Sequence, residues 1–566
     1  MAKAEATVDE LVGMIERGEL RLPEMQRRYV WRSTRVRDLL DSLYRGYPSG
    51  AILLWETAEA VPLQRFALHQ EDNPYHATRL LLDGQQRLTS LSAVIRGVPV
   101  TVRGRKRPIE LLFNLEHPDK LSVVTEVNED DEDDELTDDE ADSTDDEILK
   151  RFERMTFVVS TRKLEQSPHW VKVTDVFKSD DNLKFYERAG ITDLKDPRIT
   201  KYSERLAKLR AIKKYPYRMD ILERSLSYDE VTEIFVRVNS LGAKLRSSDL
   251  ALAQITAKWR GALEIFQTFQ DQCAAGGFEL DLGLHLKNLV AFATGQSRFL
   301  TVGSIPIETL KKSWDECVLG MQFAMNFLKN NATIDNPALL SSPFLLVTLG
   351  YYGHTRAYQI PTPEAQKLRH WALVANAKGR YSRGSTETFL DQDLSTVRQG
   401  GGAQQLIDRL RLQVGRLDVP PEELEGRNQR SALFKTMFLA FRQSGARDWH
   451  SSLAIALDHK GSQHRLQFHH IFPKALLKKA SYSPREADDI ANLAFIGGKT
   501  NRQISDRAPG QYFPPLLEKA GLEAFQAQCI PTGPELLTVT NYKKFLVARR
   551  DAISARLNQF LGVTTG

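Results

Sequence analysis

Two adjacent histidines, His469 and His470, stand in a short apolar stretch and are well suited to chemistry. Successive side chains of a strand point to opposite faces, so one imidazole can bind a metal while its neighbour faces a substrate. Asn492 and Asn501, further along, add neutral oxygens that a hard divalent cation accepts. The pattern predicts metal-assisted hydrolysis of a phosphodiester, with a neutral imidazole taking a proton from water. The competing interpretation is that these residues only cap turns in a packed domain.

Two strands and a helix must position these residues. Residues 466–472 predict the first strand and residues 491–496 the second. Gly497 and Gly498 predict the turn after the second strand, and residue 500 begins a helix. A β-hairpin followed by a helix brings the polar side chains together on the open face of the hairpin.

This arrangement resembles the HNH nuclease family, also called the ββα-metal nucleases. The resemblance implies that His469 and Asn501 are metal ligands and that His470 is the general base. It also implies that Asn492 pins the loop and orients the base. The implied cofactor is Mg²⁺, Mn²⁺ or another divalent cation.

Basic residues are locally enriched around this motif, although the net charge of the whole chain is only +4. Such residues attract phosphates without reading sequence. Lys499 is predicted to contact a phosphate; its Gly-Lys-Thr context is not a Walker A loop, because Leu493 stands where that loop needs a glycine. The other predicted nucleic-acid contacts are Lys474, Lys478, Lys479, Arg502 and Arg507.

A second group of motifs lies in the N-terminal region. Residues 79–82 predict a buried strand that runs into an Asp-Gly-Gln-Gln-Arg sequence, and residues 88–95 predict a helix. Backbone N–H groups and an arginine at a helix N-terminus form a natural anion site. There Asp83 can hold a metal or a water, and Arg87 can fork onto a phosphate. The competing interpretation is a turn with a helix cap and a surface arginine.

The Asp-Gly-Gln-Gln-Arg sequence strongly resembles the N-terminal domain of GmrSD-type restriction enzymes, which has a ParB/sulfiredoxin-like fold. Gln26, Arg27, Tyr29 and Trp31 resemble the upstream signature of that family, and residues 235–245 resemble its downstream signature. The resemblance implies that the domain binds and hydrolyses a nucleoside triphosphate and senses modified DNA. The nucleotide-site residues that it implies are Asp83, Gly84, Gln85, Gln86, Arg87, Arg27, Arg237 and Asn239.

The chain as a whole predicts a multidomain α+β protein, because 566 residues are too many for one core. We place a ParB-like domain at residues 1–250, a mostly α-helical linker domain at 251–420 and the ββα-metal (HNH) domain at 421–566. Residues 128–148 are mostly acidic and predict a disordered insertion, with a DNA mimic or a cation-binding loop as alternatives. Residues 380–383, Arg-Tyr-Ser-Arg, can contact DNA, but a solvated helix face is the commoner origin of such a sequence.

Composition favours a cytoplasmic protein. The cysteines Cys273, Cys317 and Cys529 are far apart, which excludes a disulfide framework and favours a reducing compartment. No apolar run approaches membrane-spanning length, so we expect neither a signal peptide nor a membrane anchor.

These features predict an anti-phage, modification-dependent (type IV-like) restriction endonuclease of the GmrSD kind, in which a nucleoside triphosphate licenses cleavage of DNA. One HNH site per chain makes a homodimer convenient for double-strand breaks. A phosphorothioate-sensing nickase has the same two modules. Two further alternatives are a ParB-like nucleotide-switched DNA-binding protein with an inactive HNH unit and an HNH RNase toxin.

Overall fold

The computed structural model divides into two compact units, Met1–Leu263 and Glu264–Gly566. The three-domain division at residues 250 and 420 stays a prediction. The acidic segment 128–148 lies outside the described residues. The residues that the structure describes are 2–26, 28–58, 61–64, 66, 68–71, 78–102, 105–119, 152–193, 195–241, 246–459 and 464–563.

Unit 1 combines strands and helices. Its strands are β1 (Ala2–Thr7), β2 (Leu20–Pro23), β3 (Ile52–Thr57), β4 (Leu63–Gln64), β5 (Thr78–Asp83), β6 (Val100–Val102), β7 (Arg105–Arg107), β8 (Leu111–Asn114), β9 (Phe157–Val159), β10 (Trp170–Lys172) and β11 (Pro216–Leu222). Its helices are α1 (Val8–Glu16), α2 (Ser33–Tyr44), α3 (Gln85–Arg96), α4 (Arg162–Gln166), α5 (Val173–Lys178), α6 (Leu183–Arg188), α7 (Arg198–Arg210), α8 (Tyr228–Leu241) and α9 (Ser247–Lys258).

A mixed six-stranded sheet, in the order β1-β11-β3-β5-β2-β4, is the framework of unit 1. The β11–β3 and β2–β5 pairs are parallel, and the other neighbours are antiparallel. Side chains alternate along each strand, so the two faces enter different cores. Ile52, Leu54 and Leu81 join a core with residues of α1, α2 and α3. Leu53, Trp55, Leu80 and Leu82 join a core with residues of α8.

Unit 2 is mostly helical. Its helices are α10 (Ala262–Ala275, which begins at the end of unit 1), α11 (Leu282–Thr294), α12 (Ile307–Ala332), α13 (Phe344–His354), α14 (Thr362–Lys378), α15 (Thr386–Arg398), α16 (Ala403–Val414), α17 (Pro421–Leu424), α18 (Ala432–Gln443), α19 (Lys474–Lys479), α20 (Pro484–Ala487), α21 (Gly498–Ile504), α22 (Pro509–Ala520), α23 (Leu522–Gln526) and α24 (Tyr542–Leu561). Its two strands among the described residues are β12 (Leu466–His470) and β13 (Leu493–Gly497).

The α+β class and the helical middle region are confirmed. Among the described residues, no helix combines the length and the apolar character that crossing a membrane requires. The ParB/sulfiredoxin-like fold of unit 1 and the ββα-metal fold of the last domain stay predictions.

The predicted boundaries of the motif strands were wrong by one or two residues. β12 ends at His470, because the next two backbone N–H groups bond to Asn492 instead of continuing a ladder. Residues Ile490–Asn492 form a 3₁₀ turn, so β13 starts only at Leu493. Gly497 ends β13 and Gly498 begins α21, so they do not form a turn of their own.

Helices α12 and α13 cross with their backbones in contact. A Cβ added at Gly350 of α13 would lie 2.9 Å from the carbonyl carbon and oxygen of Gly320 of α12. The obstacle is backbone, which cannot swing away like a side chain. The close crossing therefore requires glycine at position 350.

We expect Gly350→Ala to lower the free energy of unfolding by about 1–3 kcal/mol, because the added methyl group overpacks the helix crossing. Urea denaturation followed by circular dichroism measures this change. Gly510→Ala is the matched control, since its Cβ would meet only the carbonyl oxygen of Leu537 at 3.5 Å. Equal midpoints for Gly350→Ala and the wild type would contradict the close crossing.

Candidate functional site

The pleat of β12 separates the two histidines. His469 is buried, with 3% of its surface exposed, whereas the side chain of His470 is 24% exposed. They pair in register with Ala494 and Leu493 of the antiparallel β13. The predicted division into one inward and one outward imidazole is what the strand geometry produces.

Asn492 ties the end of β12 to the segment before β13. Its Oδ1 accepts a hydrogen bond from the N–H of Phe472 at 2.9 Å. Its Nδ2 donates to the carbonyls of Phe472 at 3.0 Å and Ala487 at 2.9 Å. The side chain is fully buried, so these bonds are made without competition from water. Asn492 thus pins the 471–492 connection that follows His470.

Helix α21 brings Asn501 to His469. The Nδ1 of His469 lies 2.8 Å from the Oδ1 of Asn501. The Nδ2 of Asn501 donates to the Oε1 of Gln467 at 2.7 Å, which orients the amide so that its oxygen faces the imidazole. Residues 32 positions apart in the chain therefore present one nitrogen and one oxygen to the same point.

Tyr512 of α22 holds the other side of the His469 ring. Its hydroxyl donates to the carbonyl of Ile471 at 2.9 Å and lies 3.1 Å from the Nε2 of His469. Burial lowers the pKa of His469 to about 4, so the imidazole is neutral at pH 7. The neutral ring carries one proton: in the tautomer with Nε2–H, that group donates to Tyr512 and Nδ1 presents a lone pair towards Asn501, whereas in the other tautomer Nδ1–H donates to the Asn501 oxygen.

Two lone-pair donors that converge in this way fit a divalent cation. Adjacent ligands of an octahedral Mg²⁺ shell, each at about 2.1 Å from the ion, are about 3 Å apart. The 2.8 Å separation of the His469 and Asn501 donor atoms matches that spacing. The described residues contain no cluster of three or more His, Cys, Asp or Glu side chains suited to a metal. The pair would therefore leave the rest of the shell to water and substrate, as Mg²⁺ commonly does.

Asp488 orients His470 and was not foreseen from the sequence. Its Oδ1 lies 2.9 Å from the Nε2 of His470 and 2.8 Å from the Nζ of Lys474. The hydrogen bond with His470, with a further contribution from Lys474, lowers the pKa of Asp488 to about 2. When the ring is neutral and Nε2 donates, Nδ1 is an acceptor, and no described residue bonds to that nitrogen. Only the Asp488-Asp489 pair shortly before Asn492 hints at this role in the sequence.

Two buried residues outside the two strands and the helix hold these elements in place by hydrogen bonds. Asp448 accepts hydrogen bonds from the N–H of Gly497 at 2.7 Å and the hydroxyl of Thr500 at 2.8 Å, which sets the start of α21. Arg549 of α24 is fully buried and donates to the carbonyls of Ala491 and Leu493 at 2.8 and 2.7 Å. Sequence reasoning missed both, because neither belongs to the local motif.

The predicted nucleic-acid contacts differ in their surroundings. Lys474 pairs with Asp488, and Arg507 donates to the carbonyls of Gln503 and Ile504 at the end of α21, the latter at 3.0 Å. These two have structural partners in addition to any role towards a ligand. All six residues are exposed: Lys478, Lys479, Lys499 and Arg502, and also Lys474 and Arg507.

The Asp-Gly-Gln-Gln-Arg sequence of unit 1 lies at the β5–α3 junction, as predicted. Gly84 has φ +102°, and a Cβ there would lie 2.4 Å from the Cδ1 of Ile52, so only glycine fits. Gln85 is buried, with 6% exposed. The Oε1 of Gln86 accepts from the N–H groups of Val30 and Trp31 at 2.9 and 3.2 Å.

Arg87 holds a second loop. Its guanidinium donates to the carbonyls of Ser49 at 2.5 Å and Ala51 at 2.7 Å, and to the Oδ2 of Asp83 at 3.0 Å. The Arg87 side chain is 14% exposed and that of Asp83 is 46% exposed. The guanidinium of Arg87 therefore holds the backbone of residues 49–51 in place. The carboxylate of Asp83 is more accessible to a ligand than the Arg87 side chain.

The upstream signature packs on the same helix. The hydroxyl of Tyr29 lies 2.9 Å from the Oγ of Ser90 in α3. Arg237 of α8 is exposed and pairs with Glu233. Arg27 and the side chain of Asn239 lie outside the described residues. The structure thus brings the upstream and the Asp-Gly-Gln-Gln-Arg segments together, while the nucleotide-binding roles stay predictions.

We expect Asn492→Ala to lower the free energy of unfolding by about 3 kcal/mol, because three backbone groups lose their partner in a buried place. Chemical denaturation measures the change. Asn541→Ala is the control, since its amide donates a single bond, to the carbonyl of Glu535 at 2.7 Å, near the surface. A cost for Asn492→Ala no larger than the control's would contradict the pinning role.

His469 should make stability depend on pH. The unfolded chain takes up a proton at this residue near pH 6.5, whereas the folded pKa is about 4. The stability from neutral His469 is therefore complete above about pH 6.5 and declines as the pH falls towards 4. In EDTA, the urea midpoint of His469→Gln should fall less over this window than that of the wild type. His464→Gln, at an exposed histidine, should follow the wild type; equal pH slopes for His469→Gln and the wild type would refute the prediction.

Comparison with known proteins finds similarity to a described family in the N-terminal part of the chain. The chain is similar to an uncharacterized protein of Methanocaldococcus jannaschii, with 24% identity over 552 residues, which cover 90% of this chain and 86% of the relative. Residues 8–256 match the family model of the GmrSD restriction endonuclease N-terminal domain. The similarity to that family therefore lies within unit 1.

Proposed function

We propose that this protein is a metal-dependent HNH endonuclease of a modification-dependent restriction system, directed against phage DNA. The observation that carries the proposal is the 2.8 Å approach of the His469 and Asn501 donor atoms, with His470 on the opposite face of the same strand. The GmrSD match over residues 8–256 supports DNA restriction as the setting.

The chemistry of the chain's own residues centres on His470. Asp488 accepts from its Nε2, so the lone pair of Nδ1 is directed away from the carboxylate. That nitrogen takes a proton from a water molecule, whose oxygen attacks the phosphorus as the 3′ oxygen leaves. Asn492 keeps the segment behind the base in place through its three backbone hydrogen bonds.

His469 and Asn501 are the residues that would hold Mg²⁺ or Mn²⁺. Once bound, such an ion supplies charge stabilisation on the phosphodiester and its leaving oxygen. The neutral ring of His469 offers its lone pair without first losing a proton, since its pKa is about 4. The exposed cations Lys478, Lys479, Lys499 and Arg502 add affinity for the DNA backbone.

Unit 1 would regulate the cut. We assign nucleoside triphosphate binding and hydrolysis to the β5–α3 junction, where Asp83 is exposed at the start of a twelve-residue helix. Gln86 and Arg87 would act there by holding the 28–31 and 49–51 loops in place. Recognition of the DNA modification belongs to the same domain in this proposal, and a homodimer would pair two single-strand cuts.

Cleavage of supercoiled plasmid with Mg²⁺ or Mn²⁺ tests the nuclease. We expect His470→Ala to lower the cleavage rate by at least about 100-fold, because the general base is lost. Asn501→Ala should lower both the rate and the affinity for Mn²⁺, which titration calorimetry measures directly. His464→Ala, at an exposed histidine just before β12, should cleave like the wild type.

The same assay separates the alternatives. Equal, complete inactivity of wild type and His470→Ala on plain, hydroxymethylated, glucosylated and phosphorothioated DNA, with DNA binding retained, would favour a nucleotide-switched binding protein. Preference for RNA over every DNA would favour an RNase toxin. In phage restriction assays, Asp83→Ala should lose protection as His470→Ala does; protection retained by Asp83→Ala would refute gating by unit 1.

A further inference from the structure

A cationic cavity of about 370 Å³ lies in unit 2, outside the residues assigned above. Four segments line it: Ser341 before α13, the turn after α14, the turn before α18 and the first turn of α18. Its basic side chains are Arg383, Arg427, Arg430 and Lys435. Hydroxyl and amide side chains, among them Ser382 and Asn428, complete the lining.

No acidic side chain is present among the described residues that line this cavity. Two acidic residues of neighbouring segments are paired with other cations. Asp393 accepts both branches of the buried Arg380 guanidinium at 2.7 and 2.8 Å, and Glu423 pairs with Lys378 at 2.6 Å. The positive charge that faces the cavity is therefore not neutralised by the lining, and the cavity favours an anion.

The backbone adds to this preference. Ala432, the first residue of the twelve-residue helix α18, lines the cavity, so the positive end of the helix dipole lies there. The turn that leads into the helix is held by its own bonds, with Asn428 accepting from the N–H of Arg430 at 3.0 Å. Guanidinium forks, hydroxyls and a helix N-terminus are together the groups that bind phosphate oxygens.

We propose that this cavity is a phosphate-binding site, which takes either a backbone phosphate of bound DNA or the phosphates of a free nucleotide. Both ligands present the same chemistry, a compact anion with several acceptor oxygens. Arg383 and Arg430 are its principal contacts, because both are exposed at the cavity and neither has a hydrogen bond from its side chain to another described residue.

The site also touches the nuclease motif. The N–H of Gly426 donates to the Oδ2 of Asp489 at 2.9 Å, and the N–H of Ile490 donates to the carbonyl of Arg427 at 2.8 Å. Asp489 and Ile490 lie three and two residues before Asn492 in the chain. A phosphate in the cavity would therefore lie next to residues that are hydrogen-bonded to the segment that Asn492 pins. Its binding does not require the proposed cleavage activity.

The test uses the full chain and the double variant Arg383→Gln/Arg430→Gln. The control, Lys312→Gln/Arg411→Gln, removes the same charge from exposed residues of unit 2 that do not line the cavity. Calorimetry with inorganic pyrophosphate and salt-dependent binding of a fluorescent DNA duplex are the two readouts. Thermal unfolding verifies that both variants fold, and the single variant Arg430→Gln repeats the test with a smaller change.

The two readouts distinguish the sources of phosphate. A pyrophosphate affinity about tenfold or more weaker than in the control, with unchanged DNA binding, identifies a free nucleotide or similar small phosphate. A fall of about two in the slope of log affinity against log salt identifies DNA backbone phosphates, whether or not pyrophosphate binding also weakens. Pyrophosphate and DNA binding that both match the control would overturn the proposal.

Discussion

The need to pair every buried polar group governs the C-terminal motif. His469 and Asn492 are almost completely buried, so each must have hydrogen-bond partners inside the protein. Asn492 meets this need by closing the connection between β12 and β13, and His469 lies within hydrogen-bonding distance of Asn501 and Tyr512. The requirement that stabilises the fold thus also positions the two atoms proposed to bind the metal.

Distant parts of unit 2 contribute to that geometry. Asp448, before β12, sets the start of α21, and Arg549, in the last helix, holds the backbone on either side of Asn492. Burial lowers the pKa of Arg549 to about 10, so the guanidinium remains charged at pH 7 and its carbonyl partners offset its desolvation. The geometry of the two strands and the helix therefore depends on residues that lie before and after them in the chain.

In unit 1, structural roles explain most of the Asp-Gly-Gln-Gln-Arg sequence. The fold itself restricts the residues of the Asp-Gly-Gln-Gln-Arg sequence. Position 84 accepts only a residue without a Cβ, and Gln86 and Arg87 each hold a separate loop by bonding to its backbone. Folding alone accounts for three of its five residues. Asp83 and Gln85 are the members for which a role towards a ligand adds most to the explanation.

The sequence by itself determined the local features: the helical middle region, the β5–α3 junction and the alternation that turns His469 inward and His470 outward. These follow from periodicity and from residues close in the chain. Tertiary structure alone decided where the motif strands end, that Asp488 orients His470, and that Arg383 and Arg430 share a cavity. Each of these depends on contacts between segments far apart in the chain, and no local spacing encodes which partner a side chain will meet.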